Sequence, residues 1–336
     1  MIEGACSAWM QVHYPPDEVA ANTRGSALAA MTSSDSGRAT GVFPSSTLPF
    51  FHLVVFVPSG ADARGRRDAL RAQFAATAAL LEPHALKTAL FFVVADNAAD
   101  ALNEESAELG DVIFVPCADH DGDAEPAAGS STTCKVVKAL HYAVESMDFL
   151  YWARVGDDAF FRFDVFLLRI SPAHTGNFLR TVFARFVPGG ELTPALRAAY
   201  ATNALAGYPA GSGYVLGAGV ARALAEVDTR LGLIDGWPED GVAGLWLSGL
   251  SIERVDSPCF HDTALLPSAE ERDWSHLRGV GFFLGGWSPR MPWEPPPRRF
   301  NAGPCGDDSL LVHYMTPTLW ASIDKKGVLN ECGHMF

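Results

Sequence analysis

Two adjacent aspartates, Asp157 and Asp158, follow the apolar run 149–155 at the point where it meets a predicted loop. Neighbouring carboxylates repel each other and raise each other's proton affinity, and a hard cation such as Mn²⁺ or Mg²⁺ relieves that repulsion. Aspartates are also common in turns that bind nothing. The pair therefore indicates a candidate metal site, with a plain turn as the alternative.

A second acidic pair, Glu239 and Asp240, precedes the apolar helical pattern 242–250. A carboxylate at the start of a helix can accept the free backbone N–H groups there, which contributes about 1 kcal/mol. The same carboxylate can act as a general base that removes a proton from a substrate hydroxyl. The local sequence leaves both roles open.

Two histidines and six cysteines are further candidates for chemistry. His261 and His313 each lie beside an apolar segment, where a single histidine is more often a core residue than a metal ligand. No two cysteines have the short spacing of a zinc site. They suit up to three disulfides in a secretory lumen or buried thiols in the cytosol, and the sequence does not choose between these. The cysteines are Cys6, Cys117, Cys134, Cys259, Cys305 and Cys332.

The elements that must position these residues alternate between strand and helix. Apolar runs predict strands at 53–57, 90–94, 112–115 and 149–155, and helical spacing predicts helices at 66–81, 100–109 and 133–146. Asp62 is expected to cap the first helix. This alternation is typical of a parallel sheet covered by helices, in which ligands bind at the carboxyl ends of the strands. Asp157 and Asp158 lie at one such end.

The rest of the chain is less regular. One large domain is expected at 48–336, after an irregular leader at 1–47 that lacks the order of a signal peptide. The predicted parts of its second half are a helix-leaning stretch at 171–207, a strand at 214–216, helices at 218–225 and 242–250, and an irregular Pro-rich insertion at 266–306.

Charge and hydropathy exclude several classes of protein. The 336 residues carry 25 Lys and Arg against 39 Asp and Glu, a formal net charge of −14. A carboxylate surplus of this size argues against a nucleic-acid partner, which needs clustered basic side chains. A hydrophobic content of 48% excludes disorder as the main state. No run of 18 apolar residues is present, so no transmembrane helix is predicted.

Six motifs in the same order resemble glycosyltransferase family 31, the β-1,3-galactosyltransferase and N-acetylglucosaminyltransferase group. They are an arginine-rich helix at 66–74, Gly-Asp-Val-Ile at 110–113, Thr-Thr-Cys-Lys at 132–135, Gly-Asp-Asp-Ala-Phe at 156–160, Tyr-Pro and Gly-Tyr-Val-Leu within 208–216, and Glu-Asp-Gly-Val at 239–242. The sequence departs from the family where Gly156 replaces the first Asp of an Asp-Asp-Asp motif. The 208–214 loop is also about three residues shorter than the family pattern, and the insertion at 266–306 has no counterpart.

The resemblance implies an A-type glycosyltransferase fold, a single αβα sandwich with a mostly parallel central sheet. A UDP-sugar lies over the carboxyl ends of the first strands in this fold. By similarity, Asp158 helped by Asp157 coordinates Mn²⁺ on the donor diphosphate, and His261 or His313 supplies a further ligand. Asp240 matches the family's proposed base. Glu239 then orients Asp240, binds the acceptor or caps the helix.

Three basic residues are also implicated by the resemblance. Arg67 and Arg71 are expected to face the uracil or the diphosphate, or else to form surface ion pairs. Lys135 is expected to reach a phosphate oxygen or to pair with the acidic tract 88–134, which contains ten Asp and Glu and no Lys or Arg.

The expected activity is an inverting transfer of galactose or N-acetylglucosamine from a UDP-sugar to a hydroxyl of an acceptor glycan, in the Golgi apparatus. The family's members are normally Golgi proteins with an N-terminal membrane anchor. A catalytically silent sugar-binding or scaffolding relative is the alternative, and a metal-dependent hydrolase is a third possibility.

Overall fold

The computed structural model describes residues 48–117, 131–171, 177–187, 207–231, 239–257, 260–261 and 311–312. Within these residues the chain forms ten strands and six α-helices. In chain order they are β1 (Phe50–Pro58), α1 (Arg64–Leu81), β2 (Thr88–Ala95), α2 (Ala99–Leu109), β3 (Val112–Val115), α3 (Ser131–Ser146), β4 (Asp148–Val155), β5 (Phe160–Phe161), α4 (Phe163–Val165), β6 (Thr181–Val187), β7 (Tyr208–Gly217), α5 (Ala218–Leu231), α6 (Glu239–Ser248), β8 (Glu253–Asp256), β9 (Phe260–His261) and β10 (Leu311–Val312). A π-helical turn, Phe166–Ile170, continues α4.

Seven strands form the main sheet, in the order β3-β2-β1-β4-β7-β6-β8. All neighbours are parallel except where β7 runs antiparallel to β4 and to β6. The predicted α/β class with a mostly parallel central sheet is therefore confirmed. Because β7 is antiparallel to β4, the start of β7 lies beside the carboxyl end of β4.

Helices cover both faces of the sheet because its central strands are apolar on both sides. On one face, Leu70 of α1 packs with the aromatic residues Phe163 and Phe166 against the sheet. On the other face, α3, α5 and α6 bury apolar side chains against β4 and β7. Trp152 of β4 lies in this second layer and stacks on Phe56. The carboxyl edge of β4 is thus held between two packed layers.

A second sheet of three short strands, in the order β5-β10-β9, forms beyond the end of β4. Val312 of β10 pairs with Phe160 of β5 on one side and with His261 of β9 on the other. β5 begins two residues after Asp158. Segments distant in the sequence therefore meet next to the aspartate pair.

The predicted elements differ from the observed ones mainly between β5 and β9. The helices and strands up to β4 are present within a few residues of the predicted bounds. The helix-leaning prediction for 171–207 is wrong at Thr181–Val187, which is strand β6. Strand β8 was not predicted. Asp62 does not cap α1, because the N-cap position is Ala63 and no side chain caps it.

Among the described residues, no helix combines the length and the hydropathy that a membrane crossing requires.

Candidate functional site

The two acidic pairs come together at the carboxyl edge of β4. The backbone N–H of Gly156, just after β4, donates to the carbonyl of Ser212 in β7 at 3.0 Å. One residue earlier in β7, a Cβ atom built on Gly211 would lie 3.1 Å from Oδ2 of Asp240. Asp240 therefore lies directly against the strand that pairs with the aspartate-bearing end of β4. Hydrogen bonding along the sheet edge places the pairs at one site although about 80 residues of sequence separate them.

Asp157 is held by the loop after β1 and by α1. Ser59, from the loop after β1, donates to its Oδ2 at 3.2 Å, and Nη1 of Arg66 in α1 donates to its Oδ1 at 2.9 Å. Burial raises the pKa of Asp157, and the Arg66 guanidinium opposes that rise. Both carboxylate oxygens of Asp157 are thus engaged by the β1 loop and α1.

Asp158 occupies space that a side chain at position 156 would need. A Cβ atom on Gly156 would lie 2.8 Å from Oδ1 of Asp158. That separation is shorter than real Cβ contacts, so any larger residue at 156 would displace the Asp158 carboxylate. The present placement of the Asp158 carboxylate therefore depends on the absence of a side chain at Gly156.

Glu239 is buried at the start of α6 and is held by two strands. The Tyr214 hydroxyl of β7 donates to Oε1 of Glu239, and Nε of Arg154 in β4 lies 3.1 Å from its Oε2. Burial, followed by the neighbouring Glu239 carboxylate, raises the pKa of Tyr214, so its hydroxyl keeps the proton that it donates. Asp240 follows and accepts the Gly241 backbone N–H at 2.7 Å. Glu239 thus anchors the helix, and Asp240 lies in its first turn.

The aspartate pair fits a divalent cation that is shared with a substrate. Mg²⁺ and similar hard cations are usually held by one or two carboxylates together with substrate phosphates, which is the donor set that Asp157 and Asp158 offer. Across the described ranges of the chain, no group of three or more His, Cys, Asp or Glu side chains has the arrangement of a complete metal cage. A cation here would need further ligands, from a substrate, from water or from the predicted ligands His261 and His313.

Only the backbone of His261 is described, in β9 beside the segment after Asp158, and His313 lies outside the described residues. The three-stranded sheet places the backbone of position 261 and of Val312, the residue before His313, near β5. Both histidines stay predicted ligands.

Arg67 and Arg71 of α1 form an arginine–carboxylate cluster with α2 and the start of β3. Arg67 is fully buried and makes a bidentate pair with Glu105, with both N···O distances 2.8 Å. Arg71 pairs with Glu105 at 2.6 Å and with both oxygens of Asp111 at 2.8 and 2.9 Å. The two family-like motifs therefore bind each other. Both arginines form ion pairs, as the alternative predicted, but the pair of Arg67 is buried and not on the surface. Contact of either arginine with the donor stays a prediction.

The arginine–carboxylate cluster should make stability depend on acid pH. Bonds from Arg67, which outweigh the cost of burial, and further bonds from Arg71 lower the pKa of Glu105 from 4.5 to about 2. Because the folded-state pKa is depressed, the contribution is present in full above the unfolded pKa and is lost as pH falls through the folded one. We expect the free energy of unfolding in urea to fall between about pH 4.5 and pH 2 through this group.

Glu105→Gln should lower the free energy of unfolding at pH 7 by roughly 3 to 5 kcal/mol, because it leaves Arg67 buried without its carboxylate partner. Glu108→Gln, on the exposed face of the same helix, is the matched control, since its contact with Arg64 spans 3.7 Å and is solvated. We expect the control to lose less than about 1 kcal/mol. Equal losses in the two variants at pH 7 would contradict the buried-pair interpretation.

Lys135 of α3 supports the loop after β1. Its buried ammonium donates to the Ser59 carbonyl at 2.9 Å, while Nη1 of Arg67 donates to the Ser59 hydroxyl at 3.2 Å and also to the Gly60 carbonyl. Ser59 in turn donates to Asp157. Lys135 therefore acts through the loop in this structure, and a direct contact with a phosphate oxygen stays a prediction.

One disulfide, Cys117–Cys134, joins the end of β3 to the first turn of α3, next to Lys135. The sequence left the state of the cysteines open, and this bond resolves it for these two. A bridge that closes a loop of this length stabilises a fold by about 3 kcal/mol in the chain-entropy model.

We expect Cys117→Ser combined with Cys134→Ser to lower the free energy of unfolding by about 2 to 4 kcal/mol under oxidising conditions. Urea unfolding measures the loss, and the wild type in dithiothreitol should approach the double variant. An unchanged midpoint in both experiments would show that the bridge carries no stability.

Comparisons with known proteins were consistent with a transferase. No family model matches the chain. Beta-1,3-galactosyltransferase 6 of Mus musculus is 28% identical over 167 residues, which is 48% of this chain and 48% of the mouse protein. That match supports a relationship with glycosyltransferases. It spans about half the length of this curated relative, so the activity of the whole mouse protein is not thereby assigned here.

Solved structures gave weaker likenesses. A crystal structure of the galactosyltransferase LgtC with donor and acceptor sugar analogs aligns over 79% of this chain and 87% of LgtC, at 13% identity and a TM-score of 0.32. An active-site mutant of LgtC aligns over 79% of this chain and 88% of that one, with a TM-score of 0.33. TM-scores this low carry no argument about the site, and the fold class rests on the sheet itself.

Proposed function

We propose that the protein is a metal-dependent, inverting glycosyltransferase of family 31 with the A-type fold. It would transfer galactose or N-acetylglucosamine from a UDP-sugar to a hydroxyl of an acceptor glycan, forming a β-1,3 linkage. One observation carries the proposal: the carboxylates Asp157 and Asp158 at the end of β4 and Asp240 at the start of α6 meet across the start of β7. The relationship with glycosyltransferases supports it.

In this proposal, the donor diphosphate lies over the carboxyl ends of β1 and β4. Asp158 and Asp157 would hold Mn²⁺ there, and the cation would supply Lewis-acid stabilisation of the charge on departing UDP. The loop after β1 holds Asp157 in place through Ser59, and Lys135 and Arg67 hold that loop. The carboxylates of Asp157 and Asp158 would thereby be held in place for the cation and the diphosphate of the donor.

Asp240 would take the proton of the acceptor hydroxyl as its oxygen attacks the anomeric carbon. The new bond joins that carbon to the acceptor oxygen, and the bond to the UDP oxygen breaks with its electron pair leaving on UDP. Attack from the face opposite to UDP converts an α-linked donor into a β-linked product. A positioned base contributes about 10²- to 10⁴-fold to such a rate.

The second candidate is a catalytically silent sugar-binding or scaffolding relative. Gly156 favours it, because the family's Asp-Asp-Asp motif has lost its first carboxylate here, and a side chain at that position would displace the Asp158 carboxylate from its present place. Such a protein would bind UDP without turning over a donor.

A donor screen separates these candidates. UDP-galactose, UDP-N-acetylglucosamine and UDP-glucose are each incubated with excess Mn²⁺, with and without galactoside and N-acetylhexosamine acceptors, and UDP release is measured. We expect release that requires both Mn²⁺ and an acceptor. UDP binding without turnover supports the silent relative, and free sugar released without an acceptor supports a hydrolase.

We also propose that the protein works in the lumen of the Golgi apparatus. The Cys117–Cys134 disulfide supports an oxidising compartment, because cytosolic proteins rarely keep such bonds. The similarity to an animal galactosyltransferase supports the secretory pathway.

A further inference from the structure

Arg154 is a buried cation that the proposed chemistry has not yet used. It lies in β4 within the apolar run 149–155, and it is only 8% exposed. A charge buried in a strand is costly unless it is paired and hydrogen-bonded. The contacts of the Arg154 guanidinium with its partners therefore indicate its role.

Those partners lie on two different elements of the site. In register, Arg154 stands opposite Tyr214 of β7. Its Nη1 donates to the Gly211 carbonyl of the same strand. Its Nε lies 3.1 Å from Oε2 of Glu239 at the start of α6, an ion pair by distance in which the two atoms are not aligned for a hydrogen bond. Arg154 thus links the end of β4 to both β7 and α6.

Asp240 lies beside the two groups that Arg154 contacts, Glu239 and Gly211. It follows Glu239 directly in the first turn of α6, and Oδ2 of its carboxylate packs against Gly211. If the Arg154 side chain were shortened, the start of α6 would lose its link to β4, and the strand that Asp240 packs against would lose a carbonyl contact. Both changes would shift the Asp240 carboxylate.

The charges around Arg154 also connect it to both acidic pairs. Burial by itself lowers the pKa of Arg154, but the carboxylates of Glu239, Asp240 and Asp158, together with Tyr214, raise it overall. The guanidinium therefore stays charged while it faces carboxylates from both acidic pairs. A buried ion pair adds little net stability compared with an apolar pair, so stability alone does not account for it.

We propose that Arg154 is a positioning residue that fixes the start of α6, and with it the carboxylate of Asp240, relative to the aspartate-bearing end of β4. This inference rests on the proposed function for its kinetic consequence, but its structural part does not. Misplacement of a reacting group by about 1 Å costs on the order of 10²-fold in rate.

The test compares Arg154→Met with the wild type and with Arg222→Met. Arg222 of α5 pairs with Asp148 at 3.2 Å at the opposite end of β4, so it controls for the loss of an arginine that contacts the same strand. We expect Arg154→Met to lower kcat about 100-fold while UDP affinity, measured by calorimetry, stays within about twofold. Arg222→Met should leave both unchanged.

Hydrogen exchange supplies a readout that needs no activity. Backbone amides of Glu239–Ser248 should exchange at least tenfold faster in Arg154→Met than in the wild type, and at the wild-type rate in Arg222→Met. If Arg154→Met does not fold, Arg154→Gln replaces it, because glutamine can still donate to Gly211 but has no charge for Glu239. It should show the same two changes.

Different results would overturn the proposed function and the positioning role of Arg154. A wild type that transfers no sugar overturns the proposed function, while the exchange experiment still tests Arg154. A folded Arg154 variant with wild-type exchange in α6 and, where the enzyme is active, wild-type kcat overturns the positioning role. Equal losses of kcat and of UDP affinity overturn it as well, since they indicate a general structural defect.

Discussion

Asp240→Asn should lower the rate of sugar transfer by about 10²- to 10⁴-fold while UDP affinity stays within about twofold of the wild type. The amide has nearly the shape of the carboxylate, and its oxygen can still accept the Gly241 N–H that Asp240 accepts at 2.7 Å. The first turn of α6 should therefore keep its place. What the variant loses is the ability to take a proton from the acceptor hydroxyl.

Initial rates of UDP release with saturating donor and acceptor measure this loss, and calorimetric titration with UDP and Mn²⁺ measures donor-site integrity. Asp256→Asn is the matched control, because Asp256 ends β8 and forms a solvated pair with Arg185 at 3.4 Å. We expect the control to keep the wild-type rate. Retained transfer in Asp240→Asn would identify another base, and parallel loss of UDP binding would place Asp240 in the donor site instead.

The first half of the fold follows from local sequence patterns. Strands β1, β2 and β4 are apolar runs with buried residues, and the edge strand β3 is apolar and half-buried. The helix α1 has apolar positions at helical spacing, at Leu70, Phe74 and Leu81. Alternation of such elements is typical of a parallel sheet covered by helices, so that arrangement could be predicted, but not the order of the strands. Strands that are buried on both faces appear in the sequence as continuous apolar runs, which is why they could be recognised.

The second half lacks those local signals. In β6, apolar residues alternate between the two cores only over a few positions before Arg185 interrupts the run. Edge strand β8, Glu253–Asp256, has an exposed and charged pattern that resembles a loop. Both strands exist because they pair within the sheet, and sequence patterns do not show such long-range pairing.

The candidate site was predictable as residue types but not as contacts. The acidic pairs could be recognised from their positions at the end of a strand and the start of a helix. Their partners could not, because Arg66 bonds Asp157 across 91 residues of sequence and Tyr214 bonds Glu239 across 25. Arg154 was not predicted as a site residue, although a charge inside an apolar strand is a local sign of buried partners.

The same limit explains why Arg67 and Arg71 were expected at the donor. Their sequence motif has a place in the family pattern, and nothing local shows that Glu105 and Asp111 lie opposite. The structure makes these arginines bind one family-like motif to another. Arg67 is fully buried, Arg71 is 14% exposed, and both pair with carboxylates. These contacts favour a structural role over direct contact with a ligand.

Asp158→Asn should abolish Mn²⁺-dependent transfer, with a loss of about 10³-fold or more. A bound cation contributes several kcal/mol to stabilising the leaving group, and each 1.4 kcal/mol is a factor of ten in rate. In the proposed function Asp158 is the principal ligand and Asp157 helps it. Both oxygens of Asp157 accept bonds from Ser59 and Arg66, so Asp157 also holds the strand end against the β1 loop.

Paired measurements on Asp158→Asn and Asp157→Asn test that division. Mn²⁺ affinity in the presence of UDP, followed by electron paramagnetic resonance, should weaken far more in Asp158→Asn. In Asp157→Asn the amide can still accept the Ser59 hydroxyl but loses its ion pair with Arg66, so a smaller loss of Mn²⁺ affinity should accompany a lower melting temperature. The opposite ranking of affinities would make Asp157 the main ligand, and its bond to Arg66 would then have to open before the cation binds. Wild-type turnover and wild-type Mn²⁺ affinity in Asp158→Asn would contradict the assignment of Asp158 as a metal ligand.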